Sequence, residues 1–137
     1  EIKRDAVGYS PEAERLTLEA LDAAGLRRDA ILICFDGRVL QRLHRMDGRL
    51  LLGALGRNDP AYLPRWVQGY HPPIEESKAE RVAQAHEGGH WVLPWNANDQ
   101  PAMRRQIEYG VDILASDYPE ILERLMRDLG EPAPPTR

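Results

Sequence analysis

The side chains best suited to chemistry sit at the ends of short apolar runs. Trp95, Asn96 and Asn98 close one run, and Ser116, Asp117 and Tyr118 close the next. The indole offers a flat apolar wall, and the amides, hydroxyls and carboxylate offer hydrogen bonds. At the front of the chain Glu1 and Lys3 stand two apart in EIK. In an extended strand that spacing turns a carboxylate and an ammonium to the same side, with Ile2 packing behind.

The elements that must position them follow from the pattern between His90 and Leu125. It reads as strand, polar loop, helix, stop at Gly110, strand, polar loop and helix. Two strands joined through a helix must run parallel, because a hairpin cannot span such a connection. Binding side chains gathered at the carboxyl ends of parallel strands mark the place where α/β folds put their active sites.

The remaining segments repeat that alternation. Ser10-Pro11 opens a helix with Leu16, Ala20, Leu21 and Ala24 on one face, stopped at Gly25. Ala30 to Phe35 and Leu50 to Leu55 are continuous apolar runs, the pattern of strands buried on both faces. A short helix through Val39, Leu40 and Leu43 lies between them. Trp66 to Tyr70 reads as a shorter strand, and His71 as a turn residue before Pro72-Pro73. Ile74 to Glu87 reads as one helix with Ala79, Val82, Ala83 and Ala85 inward, and Glu75-Glu76 to Glu80-Arg81 as its solvated face. Trp91 to Trp95 and Val111 to Ala115 are the last strands. Pro101 opens a helix through Met103, Ile107 and Tyr109, and Pro119 opens one through Ile121, Leu122, Leu125 and Leu129. Asp117 is positioned to cap that last helix. Counting Glu1–Lys3 as the tail of a strand, the chain carries six strands.

Alternating β and α elements imply a parallel sheet. A doubly wound sheet would usually show a glycine-rich phosphate fingerprint after an early strand, and none is present. A (β/α)8 TIM barrel needs roughly 250 residues, so this chain suits about the last six βα units of one. Residues 1–130 form that partial domain and 131–137 a flexible tail. A first residue of Glu, already in strand-like sequence, is expected of a piece of a longer polypeptide.

Composition narrows the function classes. Eighteen basic against 22 acidic residues in 137 give a net charge of −4 with no basic stripe, which argues against nucleic acid. No apolar run approaches the roughly 20 residues a membrane span needs. Cys34 is alone, so neither an intrachain disulfide nor a thiolate metal cluster is expected. A cytoplasmic location is the default, with the periplasm and secretion left open.

Several segments together resemble the glycerophosphodiester phosphodiesterase family. Glu1-Ile2-Lys3, Phe35-Asp36, Trp95-Asn96-Ala97-Asn98-Asp99, and Gly110-Val111-Asp112 followed by Ser116-Asp117-Tyr118-Pro119 match, in order, the family's E-I-K, S-F-D, W-T-V-N-D and G-V-D-G-I-I-T-D-Y-P. The resemblance implies a TIM barrel that hydrolyses glycerophosphodiesters to an alcohol and glycerol 3-phosphate with a divalent cation, Mg²⁺ or Ca²⁺. It implies Glu1 as a metal ligand, Lys3 beside the phosphate, Trp95 as the wall of the glycerol pocket and Phe35 as a further pocket aromatic. Cys34, Asn96 and Ser116 are mild departures. The family's histidine-arginine pair, its E-x-D metal pair and its histidine-aspartate pair are not in this chain, so no catalytic acid–base residue is assigned here.

The chemistry suits such residues. A phosphodiester is anionic, so its hydrolysis needs positive charge on the phosphoryl oxygens and a proton for the leaving alkoxide. Each candidate also has a plainer reading: Glu1 and Lys3 as solvated charges, Trp95 and Phe35 as core, Asp117 as a helix cap. The leading reading has missing amino-terminal βα units, or a second copy, close the barrel; a competing function is a non-catalytic module, a partial barrel that completes itself by pairing with another copy or a partner chain.

Overall fold

The computed structural model describes residues 1–3 and 12–130. The expected helix start at Ser10-Pro11 and the expected tail at 131–137 lie outside these residues. Four parallel strands form one sheet in chain order: β1 (Ile31–Cys34), β2 (Leu51–Leu55), β3 (Gly69–His71) and β4 (Trp91–Val92). The helices are α1 (Ala13–Ala23), α2 (Gly37–Met46), α3 (Ala79–Glu87), α4 (Gln100–Glu108) and α5 (Pro119–Asp128). Helix α2 carries the chain from β1 to β2, and α3 from β3 to β4. The register sets Gly53 opposite Gly69 and Leu55 opposite His71.

Two of the six expected strands are hydrogen-bonded extensions of the sheet, not regular strands. Ile2 N donates to Ile33 O at 3.0 Å, which lays Glu1–Lys3 beside β1. On the far side Asp112 N and Ile113 N both donate to Val92 O, at 3.1 and 3.2 Å, and Ala115 N donates to Pro94 O at 3.3 Å. Two successive donors on one carbonyl kink the segment, and the Asp112 carboxylate takes Val92 N at 2.7 Å in place of a ladder bond. On the β3 side the pairing runs past Val92, with Leu93 N donating to Tyr70 O at 2.9 Å and Trp95 N to Pro72 O at 3.1 Å, while Pro94 offers the outer extension only its carbonyl.

Three further expectations shift. The third strand starts at Gly69, not Trp66, because Val67 N closes a turn onto Pro64 O at 2.8 Å. The single helix expected over 74–87 is a 3-10 turn, Ile74–Glu76, followed by α3. Ser77 breaks it: its Oγ donates to Gln106 Oε1 at 2.7 Å, and Gln106 Nε2 donates to Ser77 O at 3.2 Å. In α1 the buried positions are Glu14 and Leu18, while Leu16 is exposed. Arg42 Nε donates to Glu14 at 2.8 Å, so this buried carboxylate is met by a guanidinium.

The helices cover one face of the sheet. Leu32, Cys34, Leu52 and Ala54 pack with Val39, Leu40 and Leu43 of α2 and with Ile2. Tyr70 and Val92 pack with Val82 and Ala85 of α3, and Ala102, Met103 and Leu125 join α4 to α5. A fully buried leucine such as Leu52 contributes about 2 kcal/mol. Strand alternation sends the odd-numbered residues of β1, β2, β3 and β4 to the other face. There Gly53 and Gly69 leave a hollow. A Cβ on either would fall 2.2 or 2.7 Å from His71 Nε2, and one on Gly69 would also fall 2.4 Å from the Trp91 ring. The rings of His71 and Trp91 fill that hollow and meet edge to face, 5.0 Å apart.

Candidate functional site

The carboxyl ends of the strands bring four expected residues to the sheet face away from the helices, as two pairs. Ile2 is buried in the helix-side cluster, so Glu1 and Lys3 project the other way. Lys3 Nζ lies 3.9 Å from Glu1 Oε2. The lysine side chain is 65% exposed and the glutamate 31%, which leaves the ammonium open to a further anion.

The second pair is aromatic. Phe35 follows β1 and is 56% exposed, which overturns its reading as core. Its ring meets that of Trp95 at 6.0 Å and 82°. The indole is fixed from behind, with Nε1 donating to His71 O at 3.1 Å. The same carbonyl accepts Gly56 N at 3.0 Å. The Trp95–Asn96 peptide bond is cis. Among the described residues no hydrogen bond or ion pair joins the Glu1–Lys3 pair to the aromatic pair.

Past Trp95 the loop is a polar lattice. Asn98 Nδ2 donates to Asp117 Oδ2 at 2.7 Å, and Asp117 N donates to Asn98 Oδ1 at 3.0 Å. Asn96 Nδ2 reaches both Asp117 oxygens at 3.4 Å. Asp117 therefore ties two rim loops together and does not cap the last helix. The N-cap of α5 is Tyr118, with no side-chain cap bond. The capping aspartates are Asp99, which accepts Ala102 N at the start of α4, and Asp36, which accepts Arg38 N at the start of α2. Asp99 is followed at once by Gln100-Pro101, a helix-start pattern visible in the sequence.

A polar cavity of about 420 Å³ opens beside this lattice, lined by Asn96, Asn98, Lys78 and Arg105 among others. Arg57, after β2, was not singled out in the sequence. It binds Glu75 at 2.9 Å and also Glu76, so these solvent-facing glutamates sit on a 3-10 turn and pair across to the loop after β2. Nothing in their local spacing announces a partner 18 residues away.

The histidines are structural or buried. His44 stacks on Trp66 at 4.9 Å, His90 Nδ1 bonds Val67 O at 2.8 Å, and His86 Nε2 lies 2.9 Å from Asp112 Oδ2. His71 is the last residue of β3, not a turn residue, and is fully buried. Among the described residues neither of its ring nitrogens has a hydrogen-bond partner. Burial pushes its pKa from the ordinary 6.5 down to about 4, so the imidazole is neutral at neutral pH.

A metal needs more than Glu1. Among the described residues no three His, Cys, Asp or Glu stand close enough together to hold an ion, so these residues do not form a metal site on their own. No helix among them is long and apolar enough to cross a membrane.

The known proteins that this chain resembles agree with one another. A glycerophosphodiester phosphodiesterase of Caldanaerobacter subterraneus subsp. tengcongensis is 28% identical over 135 residues, 95% of this chain and 55% of that protein. The crystal structure of a glycerophosphodiester phosphodiesterase from Parabacteroides distasonis superposes with a TM-score of 0.82 at 20% identity, covering 94% of this chain and 56% of that one. A phosphodiesterase from Oleispira antarctica, solved with the product sn-glycerol-3-phosphate, superposes with a TM-score of 0.72 at 18% identity, covering 85% and 49%. This chain thus spans about half the length of the relatives it matches, and its fold is part of a (β/α)8 TIM barrel. The match to the glycerophosphoryl diester phosphodiesterase family runs over residues 3–121, from Lys3 past the Asn98–Asp117 lattice, and the chain belongs to that family.

Proposed function

We propose that the intact protein hydrolyses glycerophosphodiesters to an alcohol and glycerol 3-phosphate. What supports this is the pairing of the expected residues, Glu1 with Lys3 and Phe35 with Trp95, at positions that strand alternation turns away from the helices. Lys3 supplies positive charge to a phosphoryl oxygen, and its exposure leaves it free to do so. Trp95 lies against the glycerol carbons, and Phe35 borders that wall. Glu1 contributes one carboxylate to a divalent cation, Mg²⁺ or Ca²⁺, whose other ligands come from outside the described residues. Such a cation, when bound, neutralises charge on the phosphoryl group.

The proposal is tested by the release of glycerol 3-phosphate from glycerophosphocholine by the intact protein, with and without a chelator. Absence of turnover in Mg²⁺ and in Ca²⁺ would sink it.

We infer also that further βα units, or a second copy, complete the sheet. An apolar groove of about 410 Å³ supports this. It runs beside the outer extension of the sheet, lined by Ile107, Ile113, Leu114, Leu122 and Met126. Ile113 is 41% exposed, a large apolar group of the kind a neighbouring element covers. A non-catalytic pairing module remains the second reading, carried by that groove alone.

A further inference from the structure

We propose that His71 is the positioning residue for the aromatic wall, acting through its backbone carbonyl and held there by its imidazole. The inference rests on the functional reading above, which makes Trp95 the pocket wall.

The contacts form a closed circuit. Trp95 Nε1 and Gly56 N both donate to His71 O, at 3.1 and 3.0 Å. Gly56 has φ +105°, and a Cβ there would fall 3.1 Å from the Phe35 ring. Phe35 in turn meets Trp95 edge-on at 6.0 Å. One carbonyl therefore sets the position of both aromatics: Trp95 directly, and Phe35 through the backbone of Gly56. A carbonyl has two lone pairs, and here the two donors use both.

What fixes the carbonyl is the ring on the same residue. The imidazole sits over Gly53 and Gly69, where no side chain could stand, and its edge is braced by Trp91 at 5.0 Å. It is fully buried, and among the described residues it has no hydrogen-bond partner. A buried polar ring with no partner costs stability. The ring is therefore explained by its shape. It fills a slot two glycines wide and so prevents the carboxyl end of β3 from rotating.

The test uses the intact protein and two readouts. The first is solvent exchange of the Trp95 indole N–H by NMR, with the signal assigned through Trp95→Phe. The second is the split of KM and kcat on glycerophosphocholine. Emptying the slot with His71→Ala is expected to speed the indole exchange and to raise KM about threefold to tenfold, the worth of one aromatic contact, with kcat changed less. His71→Leu refills the slot without nitrogens and is expected to restore slow exchange and most of the KM. Should His71→Ala fail to fold, His71→Val takes its place with the same expected direction. Unchanged indole exchange on emptying the slot overturns the proposal. So does a fall in kcat with KM unmoved, or a His71→Leu protein as loose as His71→Ala. If the wild-type protein shows no turnover, the phosphodiesterase reading fails, and indole exchange alone decides the role of His71.

Discussion

The ring of Phe35 meets the ring of Trp95 edge to face, across the gap between the end of β1 and the end of β4. Two strands, β2 and β3, separate them in the sheet. Their meeting therefore requires the rim to curve inward, as it does in a barrel wall and not in a flat sheet. An edge-to-face pair is worth about 1 kcal/mol beyond the area it buries, enough to order a half-exposed phenylalanine.

Removing the wall tests its role in binding. Trp95→Ala in the intact protein is expected to forfeit about 2 kcal/mol of apolar contact with substrate, or about 30-fold in KM. Steady-state kinetics on glycerophosphocholine checks this, and an unchanged KM would remove Trp95 from the pocket.

Charge at the front of the chain tests the chemistry. Lys3→Ala is expected to lower kcat/KM about 100-fold, in line with the loss of one donor to a phosphoryl oxygen. Glu1→Gln is expected to lower activity severely and to weaken its dependence on added Mg²⁺ or Ca²⁺. Full activity in both variants would refute the site.

The segment alone gives a separate expectation. Without the family's acid–base histidines, residues 1–137 by themselves are expected to show no turnover of glycerophosphocholine in Mg²⁺ or Ca²⁺. Product above background in an assay of the purified segment would contradict this.

His71 makes stability depend on pH. Its folded pKa of about 4 lies below the ordinary 6.5, so the unfolded chain binds a proton first as pH falls. The His71 contribution to stability is therefore expected to be full above pH 6.5, to decline between 6.5 and about 4, and to level off below, for a total of about 3 kcal/mol. Urea unfolding at pH 7.5 and pH 4.5 measures it. His71→Leu should reduce the difference, and an undiminished one would assign the effect to other groups.

The aspartates separate capping from bridging. Asp99→Ala removes the acceptor for Ala102 N at the start of α4 and is expected to cost about 1 kcal/mol. Asp117→Ala caps nothing, so its expected effect is on the rim: faster exchange at the Asn98 amide, with a smaller change in the urea midpoint. A larger midpoint shift for Asp117→Ala than for Asp99→Ala would reverse these roles.

What could be read in advance divides along physical lines. Helix α2 was legible because Val39, Leu40 and Leu43 follow the helical period, and all three are buried. The parallel order followed from the connections alone. Strand ends were harder: a local turn, Val67 N onto Pro64 O, delays β3, and beyond β4 the carbonyl of Pro94 is met by Ala115 N, 21 residues on in the chain. In α1 the apolar Leu16 points outward while Glu14 is buried, because Arg42 from α2 reaches over to it. Phe35 and Trp95 were singled out by family likeness, and their rings do meet. The residue that holds them was not, since His71 acts through its main chain, and any residue type carries a carbonyl.

The sheet order has a consequence for how the protein comes into being. Each strand lies beside the ones made just before and just after it. A ribosome releasing this chain can lay every new strand on the previous one, with no gap held open for a late arrival. None of these four strands has to insert between neighbours made before it.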